Sequence, residues 1–244
     1  MGGRVTARTV REKGGLRIHQ ALAHDLGTDI LTGKYQPGDA FVGEVESSEQ
    51  LKVSRSAYRE AIRILIAKGL LESRPKAGTH VTPRKQWNML DPDVLGWMFA
   101  GEPEDSFTHD LFELRGVIEP AACAFAAERR TEAHLREMAE SVADMGRYGL
   151  ATAEGQAADQ RFHETILDAA NNVVLRSLAS SVTAAVRWTT RFKQRRRMLP
   201  RDPTPDHRAV YDAIAARDPD LARRAMDALL RLALEDMQPA AQVG

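Results

Sequence analysis

Cysteine is nearly missing from this chain. The single thiol, Cys123, leaves no disulfide framework within one chain. Its setting in Ala121-Ala122-Cys123-Ala124-Phe125-Ala126-Ala127 reads as a small packing position rather than a nucleophile. Long apolar runs are missing too, since none approaches the roughly 18 residues that cross a bilayer. No signal-peptide pattern opens the chain, so a soluble cytoplasmic protein with no membrane partner is expected. Met1 to Thr6 match an N-myristoylation pattern only formally, because that pattern is short and common. Also absent are an HExxH pair, a Walker loop, a dinucleotide fingerprint and a nucleophile motif, which argues against an enzyme. An excess of one charge is lacking as well: Lys+Arg and Asp+Glu both number 34.

That balance hides a division. Residues 1–86 hold 15 Lys+Arg and 9 Asp+Glu, an excess of +6, and the remainder carries the matching −6. A basic first third beside an acidic remainder is the electrostatic footprint of nucleic-acid binding by one domain only. With 244 residues, 43% of them hydrophobic, the chain has material for two cores. We divide it into a flexible basic arm (1–14), a DNA-binding domain (15–84), a linker (85–104) and a helical domain (105–238).

Within the first domain, Tyr58, Ala61, Ile62, Leu65 and Ile66 recur at three- and four-residue steps, one side of a helix with a core to bury in. Arg55, Arg59 and Arg63 fall at four-residue steps on another side. Such a row suits a helix in a major groove, where guanidinium meets phosphate or the N7/O6 edge of guanine. By itself the row is more often a solvated face. Ser54 is the expected N-cap, which sets Arg55 and Ser56 where backbone N–H groups also face phosphate. The helix stops at Lys68-Gly69. Leu70 to Arg74 and Thr79 to Val81 then read as two short strands about the turn Pro75-Lys76-Ala77-Gly78, a basic wing beside a basic helix.

Ile30-Leu31-Thr32-Gly33, Pro37-Gly38, Glu44, Val53-Ser54-Arg55, Arg59-Glu60-Ala61, Leu65, Gly69-Leu70 and Gly78-Thr79-His80-Val81 together resemble the DNA-binding domain of the GntR family of bacterial transcription regulators. The resemblance implies a winged helix-turn-helix. Ser54, Arg55, Ser56, Arg59 and Arg63 would lie along the DNA, with Lys76, Gly78 and Thr79 in the wing. Val45 stands where that pattern usually has an arginine, which implies altered operator contacts.

Beyond Trp97 no alternating strand pattern remains. Helical spacing covers segments near 106–128, 131–147, 153–170, 173–197, 206–216 and 219–237, so the fold class is mainly α, a winged helix-turn-helix followed by an all-helical bundle. Between the two, Asp91-Pro92 opens a capped linker helix whose Trp97 docks it. In the bundle Asp159 and His163 are one turn apart and His207 opens a later helix. Carboxylate and imidazole donors from two helices can hold a divalent ion such as zinc. On spacing alone, a surface pair is the commoner outcome.

Leu111 to Pro120, Ala126 to Arg129, Asp159 to His163, Asn172, His207 and Ala213-Ile214 resemble the helical ligand-binding domain of the FadR subfamily. This implies a site for a small organic acid, with a metal on Asp159, His163 and His207, and a homodimer. The fourth donor that the resemblance leads one to expect falls on Leu229. Arg115, one turn before Glu119, is either half of an intrahelical salt bridge or, as the resemblance implies, a grip for the effector carboxylate; Arg187 is a further candidate. The linker from Gln86 to Trp97 resembles regulators of sugar-acid catabolism, among them galactonate-responsive ones. The expected function is therefore a DNA-binding repressor whose affinity for its double-stranded operator is controlled by a small organic acid, a sugar acid by the linker resemblance, bound in the helical domain. The rival from another class is an enzyme using a metal-bound water at the same three residues, with Glu164 as base.

Overall fold

The computed structural model describes residues 17–41, 44–75, 77–196 and 201–237, which fall into two units, Met1–Glu102 and Pro103–Gly244. The arm at 1–14 and Lys76 lie outside the described residues.

The first unit opens with α1 (Ile18–Leu31), whose Leu22, Leu26 and Ile30 recur every four residues and are buried. Then come β1 (Ala40–Phe41), α2 (Glu44–Gln50), α3 (Arg55–Ala67), β2 (Leu71–Arg74) and β3 (Gly78–Val81). The strands form an antiparallel sheet in the order β1-β3-β2, with Leu71 opposite Val81 and Phe41 opposite Thr79. Strand β1 was not foreseen, because two residues are too few to display an alternation. On α3, Tyr58, Ala61, Ile62 and Leu65 pack inward, whereas Ile66, which the periodicity grouped with them, is 37% exposed. The helix ends where Gly69 takes φ +75°; a side chain there would also strike the Gln86 carbonyl oxygen at 2.2 Å.

The segment read as a linker packs as part of this unit. Helix α4 (Pro92–Ala100) starts on an Asp91 cap that accepts from the backbone of Asp93 and Val94, with Pro92 at the first helical position. Lys68, the last residue of the α3 cap, reaches back to Asp91 Oδ1 at 2.7 Å and Asp93 Oδ2 at 2.8 Å. Trp97 packs against α1 at Gly27, where a Cβ would run into its ring. Gly27→Leu is therefore expected to lower unfolding stability by about 1–3 kcal/mol through overpacking. An unchanged urea midpoint would show that α4 does not need this contact.

The second unit holds α5 (Asp105–Arg129), α6 (Glu132–Tyr148), α7 (Ala153–Ala169), α8 (Val173–Arg176), α9 (Ala179–Arg196), α10 (Thr204–Ala215) and α11 (Pro219–Glu235). Polar caps start four of them: Thr131, Thr152, Asn172 and Asp218 each accept a backbone N–H of the first turn. The alanine-rich face of α5, with Cys123 fully buried, lets neighbours come close, and Phe162, Met138, Ile166 and Met226 fill the core beside it. Burial pushes the Cys123 thiol up, consistent with packing rather than reactivity. The helix expected over 173–197 is two helices. They part at Ser177-Leu178, where the Ser177 hydroxyl donates to the Val174 carbonyl at 2.6 Å. Among the described residues no helix is long and apolar enough to cross a membrane.

Candidate nucleic-acid interface and metal centre

The surface of the first unit presents the start of α3. Ser54 caps it, its hydroxyl accepting from the Ala57 N–H at 3.1 Å. Arg55 and Ser56 follow, both exposed. The arginine row is not uniform. Arg59 is clamped to Glu44 at the head of α2, Nη2 to Oε1 at 2.8 Å and Nε to Oε2 at 3.2 Å, and Arg63 pairs with Glu60 at 2.7 Å. Arg55 makes no hydrogen bond or ion pair among the described residues, so its guanidinium is available to an anion. The clamp holds the Glu44 carboxyl below its ordinary value, through the Arg59 hydrogen bond foremost. Val45, beside Glu44, is 48% exposed. In the wing, Gly78 pairs with Arg74 at φ +90° and Thr79 with Ser73, while His80 Nε2 meets the Ala77 carbonyl at 2.8 Å and braces the turn.

In the second unit α5, α7, α9 and α10 bring a charged cluster into the protein's interior. Asp159 and His163 on α7 are each 3% exposed, and His207 on α10 is 2% exposed. The pair that spacing most often leaves on a surface is thus buried. One ligand atom from each residue lies within 4.8 Å of the others. His207 Nε2 is 3.1 Å and His163 Nε2 3.6 Å from the same Asp159 oxygen, Oδ1. The other Asp159 oxygen accepts from Thr190 of α9 at 3.0 Å.

Each imidazole is held by its far nitrogen. His207 Nδ1 lies 2.8 Å from the Pro203 carbonyl, and His163 Nδ1 approaches Glu119 Oε2 of α5 at 2.5 Å, without hydrogen-bond alignment. A neutral imidazole has one N–H and one lone pair. A ring that turns its Nδ1–H to the oxygen beside it presents a lone pair to Asp159, acceptor facing acceptor. A cation between the two Nε2 atoms and Asp159 Oδ1 satisfies all three, and a far nitrogen held by oxygen is the usual support of a metal-binding histidine. The donor set therefore fits a divalent ion. The fourth donor suggested by resemblance does not exist here, since Leu229 is apolar and 3% exposed within the core.

Arg115 is 4% exposed and its Nε donates to Glu119 Oε1 at 2.6 Å, so the intrahelical pair is real, and it is buried beside the cluster. Nη1 reaches Thr189 Oγ1 at 3.5 Å. Burial would raise the Glu119 carboxyl, but Arg115 and then His163 outweigh it and hold the group at about 2. Asp159 is likewise kept well below the usual carboxylate range, burial being overcome by His207 and then His163. Arg187 does not join the cluster. It is exposed, its guanidinium over the Trp188 ring at 5.2 Å, because the inward face of α9 at this level is Thr189 and Thr190. Glu164 is exposed as well, on the outer side of α7. Sequence reasoning missed the Glu119–His163 contact and the two threonines; the only signal was the Thr189-Thr190 pair in an otherwise alanine-rich and arginine-rich helix.

Comparison with known proteins decides what frame these sites belong to. Residues 18–81 match the model for bacterial regulatory proteins of the gntR family, and residues 110–232, half of the chain, match the FCD domain. The chain belongs to the gntR family of bacterial regulatory proteins. This regulator is 35% identical over 203 residues to the galactonate operon transcriptional repressor of Escherichia coli, covering 82% of this chain and 88% of that protein. It is 30% identical to LutR of Bacillus subtilis, with 81% and 90% covered. Among solved structures, Lar of Listeria monocytogenes shares the fold at a TM-score of 0.66 with 16% identity, covering 92% of this chain and 98% of that one. The gntR match lies within the unit carrying α3 and the wing, and the FCD match spans Arg115, Asp159, His163 and His207. The protein is a DNA-binding transcription regulator, and its relatives carry the names of regulators rather than enzymes.

Proposed function

We propose that this regulator is a homodimeric cytoplasmic repressor that binds a palindromic operator through α3 and the wing and lets go when a sugar acid binds its FCD domain. The observation that carries the reading is the buried convergence of Asp159, His163 and His207, each imidazole with an oxygen close behind its far nitrogen. A divalent ion held there supplies a Lewis-acid face for a carboxylate or hydroxyl oxygen. Asp159, His163 and His207 would hold that ion, and Thr190 orients the Asp159 carboxylate. Arg115, fixed by Glu119, lines the same place. The name of the Escherichia coli relative supports a polyhydroxy acid such as galactonate as the effector class. Helix α4, whose cap is bound to the end of α3 by Lys68, leads in sequence straight into α5, the helix that bears Arg115 and Glu119. Rearrangement about the acid would therefore reach the recognition helix through α4, as a shift between two states of differing operator affinity.

Calorimetric titration of the full chain with galactonate, gluconate and lactate, metal-replete and after chelation, tests the reading. Metal-dependent binding of at least one acid is expected, and binding of none would overturn it. On the DNA side, Arg55 has the unpaired guanidinium, so Arg55→Ala is expected to weaken operator binding by about 1–3 kcal/mol. Arg59, Arg63 and Ser56 flank it along the same stretch of helix, with Gly78, Thr79 and Lys76 assigned to the wing. Fluorescence anisotropy on the chain's own upstream DNA reads the effect, and an unchanged affinity would remove Arg55 from the interface. The exposed position of Glu164 argues against the enzymatic alternative, because the base it requires faces away from the three donors.

A further inference from the structure

Two lysines of this protein are drawn in from the surface, Lys68 buried and Lys193 half-buried, and they are in opposite states. Lys68 ends on Asp91 and Asp93 at 2.7 and 2.8 Å, and its ammonium is held above its ordinary value despite burial, a satisfied structural pair. Lys193 on α9 has no hydrogen bond or ion pair among the described residues. Its place is fixed by helical spacing. Thr190 is three residues before it and Thr189 four, so the three share one face of α9. That face is the one whose hydroxyls touch Asp159 and Arg115. The charges of Lys193 and Asp159 act on each other, and Lys193 also feels Arg115, Asp236 and Arg201.

The other charges of the cluster have partners. Arg115 is matched by Glu119 at 2.6 Å, Glu119 also meets His163, and Asp159 accepts from Thr190 and has His207 Nε2 3.1 Å away. Lys193 is the cation left over. Burial pushes it down to about 8, and Arg115 and Arg201 act in the same direction against the pull of Asp159 and Asp236. A half-buried ammonium with no anion beside it is partly stripped of water without compensation, and an arriving carboxylate supplies that compensation.

We propose that Lys193 is the residue that seats the acid group of the effector, supplying the counter-charge that Arg115, already neutralised by Glu119, does not. The inference rests on the reading of the FCD domain as an acid sensor and sharpens it. The ligand must carry a carboxylate within reach of Lys193 while its remaining oxygens face the three donors. A neutral polyol of the same length lacks the group that pairs with the ammonium.

The test compares wild type, Lys193→Met and Lys193→Arg as full-length, zinc-loaded chains titrated calorimetrically with galactonate, gluconate and lactate. Against the tightest acid, Lys193→Met is expected to bind about ten- to a hundredfold more weakly, the loss of one charged hydrogen bond, while Lys193→Arg keeps most of the affinity. Equal affinity of wild type and Lys193→Met overturns the inference and leaves the acid-sensor reading standing. Absence of binding by wild type overturns that reading and this inference with it. Thermal melting without ligand separates a binding from a structural role. Removing an unpaired ammonium is expected to raise the Tm of Lys193→Met, and a lower Tm would make Lys193 a structural residue and sink the proposal.

Discussion

Glu119→Gln should destabilise the FCD unit by about 3–5 kcal/mol, the usual cost of removing one partner from a buried ion pair. Glu119 serves two cations-in-waiting from one carboxylate: Arg115 Nε at 2.6 Å on one oxygen and His163 Nδ1 at 2.5 Å on the other, with both partners 3–4% exposed. Glutamine keeps the shape but not the charge, so the Arg115 guanidinium would stay buried without compensation. Thr189 at 3.5 Å is too weak and too neutral a partner to replace it. Urea unfolding followed by circular dichroism reads the change. Thr189→Val, which removes that long contact and the hydroxyl's own bonds to the Ala185 and Val186 carbonyls but strands no charge, should cost far less. Equal stability of Glu119→Gln and wild type would mean that the pair is not buried as described.

His207→Ala is expected to take metal content of the purified protein from near-stoichiometric to background. Leu229 stands where a fourth donor would, so the set has three members and none to spare. Removing His207 leaves only Asp159 and His163, both from α7, and the chelate no longer bridges two helices. Loss of a supporting contact lowers metal affinity by about 10–100-fold, and loss of the donor itself should exceed that. Elemental analysis after dialysis against a weak chelator is the measurement. Equal metal content in variant and wild type would place the ion elsewhere or nowhere.

Local patterns carried much of this molecule. The 3.6-residue period of α3, its Ser54 cap and the glycine stop at Gly69 were legible because each depends on neighbours in sequence. The Arg115–Glu119 pair was legible for the same reason, one turn of helix apart. What local spacing left out was depth and company. Asp159 and His163 could equally have faced solvent, and it is the packing of neighbouring helices on α7, with α5 and α9 against it and His207 of α10 against Asp159, that buries them. The Glu119–His163 contact joins residues from helices distant in sequence, so no period announces it. Arg187, a further candidate in the sequence, is exposed on α9, and an arginine beside a tryptophan says nothing about which way the helix is turned. The break between α8 and α9 falls at Ser177-Leu178, where apolar periodicity gives no sign of it.

The claim at the centre of this account is that an acid held by the FCD domain sets the grip of α3 on DNA. Operator affinity of the full chain, measured by fluorescence anisotropy on its own upstream DNA with and without saturating galactonate, gluconate or lactate, tests it most directly. An acid that binds the wild-type chain is expected to weaken operator binding, and His163→Ala, still folded and still bound to DNA, is expected not to respond. An acid that binds the FCD domain and leaves operator affinity unchanged would contradict it.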